Sequence, residues 1–342
     1  MLAKEIKNKA KELGYLACGI IPTSSFKEYT KALDERVKTF PESKELYKEF
    51  YDFANQSSDA KSVIVCTQRF NSYKPTESLK GIIAKCYQFD NRLPYAHEHR
   101  TKIEFETYLK TLDIHVIEDL TVPDRWAAVK AGLGKFGRNN FVYDPEHGSN
   151  IWIETWMVDK ELDYDTAEGT TFMSDCEEGC NKCIIACPTN ALSDKLTMDM
   201  GKCITYLFCN FDEKKHKDIR GKMQQWMYGC DACQDVCPHN KDKFQESEKY
   251  PLLADHAKHL TLEGILEMDE DTYKNTINPR FWYVGEEGLL LWKYNALRAM
   301  INSRNKKYHH LIEQYRSHEN PLMRELANWG WEKIVGGKSC VE

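Results

Sequence analysis

Eight of the cysteines between Cys176 and Cys237 constrain this chain more than any other feature. The first run is Cys176, Cys180, Cys183 and Cys187, followed by Pro188; the second is Cys230, Cys233 and Cys237, followed by Pro238; Cys203 stands alone between them. Each run ends C-x2-C-x3-C-P, the spacing of bacterial proteins that carry two iron–sulfur clusters, where the cysteine before the proline ligates the other run's cluster. Thiolates this close in sequence can wrap one compact metal–sulfide core. Disulfides and zinc are the alternatives. A chain without a leader disfavours disulfides. Zinc would need two closed tetrahedral sites and leaves the paired C-P endings without a role.

Crossed ligation assigns two [4Fe–4S] clusters. One takes Cys176, Cys180, Cys183 and Cys237, and the other takes Cys187, Cys203, Cys230 and Cys233. The segment between the runs is long and charged from Asp212 to Arg220, which suits a module built to meet something besides a redox partner.

With 342 residues, 42% hydrophobic and 29% charged, the chain has the composition of a globular protein of two or three domains. Its amphipathic start, with Leu2, Ile6, Ala10 and Leu13 on one side, lacks a signal peptide's apolar core, and no apolar run is long enough to span a membrane. We expect a cytoplasmic protein with no membrane contact. A net charge of −6 does not advertise nucleic-acid binding, although a sum over the chain leaves a local basic patch open.

Three sections are expected: an α/β (α+β) domain over 1–160, a two-cluster module over 161–245, and a helical, HEAT-like region over 246–342. In the first, Tyr15–Ile21, Ser62–Phe70 and Ile114–Glu118 read as strands separated by helix patterns, which suggests βαβ units. Cys18, Cys66 and Cys86 read as small buried hydrophobes.

Gly132, Gly134 and Gly137 form G-x-G-x-x-G, but they follow a helix pattern and not a strand, so a dinucleotide site is disfavoured. Such a loop fits close approach to a large ligand or to another backbone. Glu118 and Asp119 end the preceding strand, where α/β sheets place chemistry, although capping or solvation would equally explain them.

The segments DRWAAVKAGLGKFGRNN, CNKCIIACPTNAL, GKCITYL, YGCDACQDVCPHN and LWKYNALRAM…NPLMRELANWGWEKI together resemble the epoxyqueuosine reductases, cobalamin-dependent iron–sulfur enzymes of tRNA queuosine synthesis. The resemblance implies a base-off cobalamin between the first domain and a ferredoxin-like module. It places Asn140, Val142, Thr205 and Asp231 toward the corrin, and a catalytic carboxylate at Glu118 by gap-free counting or Asp119 by a one-residue slip. It implies as partners a tRNA anticodon stem-loop and a low-potential donor such as ferredoxin or flavodoxin, with the enzyme a monomer. The chain departs from the family pattern in IEDLTVPDR, in CYQFDNRLPY, in the first C-x3-C gap, and at His239, where Trp is usual. A corrinoid reductase acting on another electrophile such as an organohalide, and an electron-transfer protein, are the other readings. A plain electron carrier would not need the first domain.

Overall fold

The computed structural model describes residues 1–52, 59–118, 121–165, 176, 179–194, 197–245 and 247–336. Its centre is a three-stranded sheet of β1 (Ala17–Pro22), β2 (Ser62–Arg69) and β5 (Ile151–Val158), in the order β1-β2-β5. Two short strands, β3 (Lys135–Phe136) and β4 (Val142–Tyr143), form a separate hairpin.

Both pairings of β2 are antiparallel, with Ile20 opposite Ile64 and Cys66 opposite Glu154, so the expected parallel βαβ units are not what forms. The reason lies in the connection. β1 ends at Pro22, the chain passes through helix Lys27–Thr39, and it returns to Ser62, the residue paired with Pro22. The helix therefore decorates a long hairpin and does not cross the sheet.

β2 is buried on both faces, which explains its uninterrupted apolar run. Ile20, Ile64, Cys66 and Trp156 face helices Leu2–Glu12 and His97–Thr111 through Ile6, Ala10, Phe105 and Leu109. Val63, Val65 and Met157 face helix Asp124–Lys130 through Trp126, Ala127 and Val129. The segment Ile114–Glu118 is not a full strand. It makes one bridge, Val116 to Val158, and Ile117 donates its N–H to Met157 at 2.8 Å. Asp113 just before it has φ of +54°, and Pro123 follows closely, so little length is left for a ladder.

Helices Leu289–Ser303, His309–Tyr315 and Pro321–Gly336 share one apolar core with residues from Phe70 to Ala96 and with Phe208 and Tyr228 of the cysteine region. The Arg298 guanidinium, fully buried in that core, donates to the carbonyls of Gln224 and Trp226. This fixes the segment leading to Cys230 against the C-terminal helices. Among the described residues, no helix is long and apolar enough to cross a membrane.

Candidate functional site

The glycine loop packs closely on its own hairpin, and Gly137 also lines the cysteine cavity. A Cβ on Gly134 would stand 2.6 Å from Val142 Cγ1 and 2.8 Å from the Tyr143 carbonyl oxygen. On Gly137 it would strike the Tyr143 ring. The loop is packed this tightly because its far side meets the cysteines. The Arg138 N–H lies 3.4 Å from Cys176 Sγ, and the Asn139 amide donates to the Cys233 carbonyl at 3.4 Å.

Cys176, Cys180, Cys183 and Cys237 line one cavity of about 370 Å³, including its mouth, together with Gly137, Arg138, Asn139 and Tyr143. Burial pushes the Cys203, Cys230 and Cys233 thiols up, and mutual repulsion adds to it: Cys203 feels Cys187, Cys230 feels Cys203, and Cys233 feels both Cys203 and Cys187. Cys237 of the second run thus shares a cavity with three cysteines of the first, while Cys233 lies within electrostatic reach of Cys203, Cys183 and Cys187. Among the described residues, no three Cys, His, Asp or Glu side chains converge as a single metal ion would require. Sulfurs spread around a cavity suit a polynuclear cluster better than one zinc. Backbone N–H groups reach the sulfurs of Cys187 (from Ala191, 3.2 Å) and Cys230 (from Ala232, 3.5 Å), contacts that tune a cluster's potential.

A cleft with two open lobes, each with Cys86 in its wall, lies beside the turn that carries Asp231. The first, about 830 Å³, is walled by Lys85, Asn150, Asp231, Gln234 and Phe244. The second, about 950 Å³, is walled by Asp90, Arg92, Asp124, Trp152, Glu154 and Tyr283. Cys86 therefore faces a cavity and is not simply core filling. Asp231 lies between Cys230 and Cys233 in sequence, so it connects the cysteine turn to the cleft wall. It accepts the Lys85 N–H at 2.8 Å, with the Lys85 ammonium 3.6 Å away. Burial pushes its carboxyl up to about 6 against the pull of Lys85. Burial alone would lower Lys85, but Asp231 and Asp235 outweigh it and raise the ammonium's value. Lys85 therefore carries its charge in this pair.

The second lobe holds two more carboxyls of raised pKa. Asp124 is exposed although it lines this lobe, so the push that burial gives its carboxyl is an upper bound. That push takes it up to about 6, although the Thr155 hydroxyl donates to it at 2.7 Å. Burial pushes Glu154 up to about 7, although the Tyr15 hydroxyl at 2.7 Å and the Asn91 amide at 2.8 Å both donate to it. Neither acid stands out in the sequence. Asp124 is the first residue of helix Asp124–Lys130, and Glu154 is the lone charge in the apolar run of β5.

The expected site residues scatter around this frame. Asp231 lines the cleft. Thr205 bonds to Cys203. Val142 packs on Gly134. Asn140 is buried with φ of +66°, its carbonyl accepting from Arg125 at 2.8 Å and its side-chain nitrogen without a partner. Glu118 is exposed and is not among the cleft-lining residues, and Asp119 lies outside the described residues.

The family described as "4Fe-4S double cluster binding domain" matches residues 175–240. A mixed helix–strand frame that joins such a module to a deep cleft is the architecture of an iron–sulfur oxidoreductase. An epoxyqueuosine reductase of Cyclobacterium marinum is 29% identical over 281 residues, covering 78% of this chain and 87% of its own length. One of Cellulophaga algicola is 30% identical over 288 residues, covering 79% and 89%. The epoxyqueuosine reductase of Streptococcus thermophilus shares the fold with a TM-score of 0.77 at 22% identity, covering 98% of this chain and 91% of that one. A crystal structure of epoxyqueuosine reductase with an epoxyqueuosine-modified tRNA-Tyr stem loop shares it with a TM-score of 0.74 at 21% identity, covering 97% and 90%. The chain belongs to the epoxyqueuosine reductase family.

Proposed function

We propose that this chain reduces epoxyqueuosine to queuosine in the tRNA anticodon stem-loop, in the cytoplasm, using two [4Fe–4S] clusters and a base-off cobalamin. One observation carries the reading: Asp231 joins the second set of four cysteines directly to the cleft wall. Electrons arriving at the clusters therefore have an exit toward an open cleft in which a cofactor would sit. The net reaction takes two electrons and two protons, breaks both epoxide C–O bonds, forms the alkene and releases water. Ferredoxin or flavodoxin is the donor class that fits.

Cys176, Cys180, Cys183 and Cys237 would hold one cluster, and Cys187, Cys203, Cys230 and Cys233 the other. The cleft fits a large, polar-edged macrocycle. Both lobes have Cys86 in their walls, apolar walls come from Phe70, Phe244 and Trp152, and polar groups come from Asn150, Asp231 and Gln234. Asp231 would hold the cofactor's edge, with Asn140, Val142 and Thr205 supporting from the hairpin and the Cys203 helix. When bound, cobalamin supplies low-potential, strongly nucleophilic reduction chemistry. The protein's part is to exclude water and to deliver protons. The resemblance would give the proton to Glu118 by gap-free counting or to Asp119 by a one-residue slip, with Asp119 preferred as the acid type the family uses. The geometry favours a second reading, because Asp124 lines the cleft beside Glu154 and Thr155, with its carboxyl pushed up from the ordinary carboxylate range, the direction a general acid needs. The C-terminal helices, as a short HEAT-like unit, would buttress this cleft.

The test is anaerobic reconstitution with iron, sulfide and cobalamin, followed by reaction with epoxyqueuosine tRNA. About eight irons per chain and conversion to queuosine are expected. Full cofactor loading without conversion would reject the substrate.

A further inference from the structure

Tyr283, which lines the second lobe, and its neighbour Trp282 are large aromatic rings that stand in solvent. Trp282 is 43% exposed and Tyr283 is 41% exposed. They stack on each other with centroids 4.2 Å apart and planes 19° from parallel. The Arg92 guanidinium sits 4.6 Å from the Trp282 ring centre and 5.4 Å from that of Tyr283. Two adjacent exposed aromatics stacked on one another make a contiguous apolar face of the kind that marks a binding surface.

The arrangement is rigid. Arg92 makes two parallel bonds to the buried Asp90 carboxylate, at 2.8 and 3.0 Å, and a third to the Tyr283 hydroxyl at 3.2 Å. The Tyr283 N–H donates to the Tyr228 hydroxyl at 3.1 Å, and the Tyr228 ring stacks on core Trp292. The Tyr273 hydroxyl pins the following turn through the Gly285 carbonyl at 2.6 Å. Rings held this way lose little further freedom when a flat ligand settles on them.

We propose that Trp282 and Tyr283, braced by Arg92, form a stacking platform for an unpaired nucleobase of the RNA substrate, next to the base held in the cleft. The assignment rests on the tRNA reading above. Position and charge favour a base over a backbone phosphate. Tyr283 and Arg92 both line the catalytic lobe, so a base on the platform lies next to one inside it. Arg92 is already neutralised by Asp90, and exposed Glu286 lies three residues beyond Tyr283, which disfavours phosphate but tolerates the face of a π-system.

The experiment uses the reconstituted full chain and a fluorescent anticodon stem-loop RNA. Binding is measured over a salt series for wild type, Trp282→Ala, Tyr283→Ala and Trp282→Phe, each checked for iron content and circular dichroism. Each alanine variant should bind roughly 5- to 150-fold more weakly, the range set by one lost base–aromatic contact. Trp282→Phe should recover most of the affinity. The salt slope should stay at the wild-type value, because no phosphate contact is lost. Wild-type affinity in both alanine variants would overturn the platform and leave the tRNA reading standing. A wild-type holoprotein that does not bind the stem-loop at all would overturn both.

Discussion

Lys85 and Asp231 meet twice, through the Lys85 backbone N–H at 2.8 Å and its ammonium at 3.6 Å. They are 146 positions apart, so this one carboxylate fastens the cleft segment to the turn between Cys230 and Cys233. Asp231→Ala would leave a buried N–H and a partly buried ammonium with Asp235 as their remaining anion. We expect a loss of about 1–3 kcal/mol, read as a lower melting temperature of the reconstituted protein. Asp231→Asn keeps an acceptor and should recover most of it. Equal stability of the alanine variant and wild type would show that the pair contributes nothing net.

The cysteine partition makes a sharper prediction. Cys176→Ala and Cys203→Ala fall in different sets, so each should lower iron from about eight to about four per chain. The residual clusters should differ in their paramagnetic spectra. Cys209, whose sulfur is 3.0 Å from the Asn210 amide and belongs to neither set, should tolerate alanine with full iron content. Loss of all iron in either single variant would mean that the two sites assemble as one unit.

Glu154 gives a pH signature. Its folded value of about 7 lies above the ordinary 4.5, so the folded state binds the extra proton in between. That contribution to stability is complete below about pH 4.5 and is lost as pH rises through about 7. Glu154→Gln cannot ionise and should flatten this decline, by on the order of 1 kcal/mol across the window. Denaturant melts of wild type and variant at several pH values make the comparison; parallel curves would place the titration elsewhere.

The cysteine spacing is legible in the sequence because cluster ligation is local and demands fixed gaps. Cys237 joins the cavity of Cys176 and Cys180 as the C-P ending implies. Strand direction is not legible: the apolar run of β2 records burial on two faces but says nothing of antiparallel partners nearly 90 residues away at β5. β5 itself passes unnoticed because Glu154 and Thr155 interrupt its apolar run, and that interruption is what lines the cleft. The platform is hidden for a similar reason, since Arg92 and Trp282 meet only through the tertiary fold.

The proton donor separates what the resemblance implies from what the geometry favours. Glu118, Asp119 and Asp124 lie within seven residues, and of these Asp124 lines the cleft, with a hydrogen bond from Thr155 and a value near 6. Amide replacement of the true donor should keep iron and cobalamin content while turnover falls by about 10²–10⁴-fold. If Asp124→Asn shows that loss, the raised carboxyl in the cleft is the acid, and Asp119→Asn should be near neutral. Wild-type turnover should then decline as pH rises through about 6, since the protonated form is the active one. If Asp119→Asn shows the loss instead, the acid sits on the segment just before the helix, and Asp124 serves to position it. The accompanying variant Thr155→Val separates these cases. It removes the hydroxyl that stabilises ionised Asp124, so it should move the turnover limb to higher pH when Asp124 is the acid and leave the limb in place when it is not.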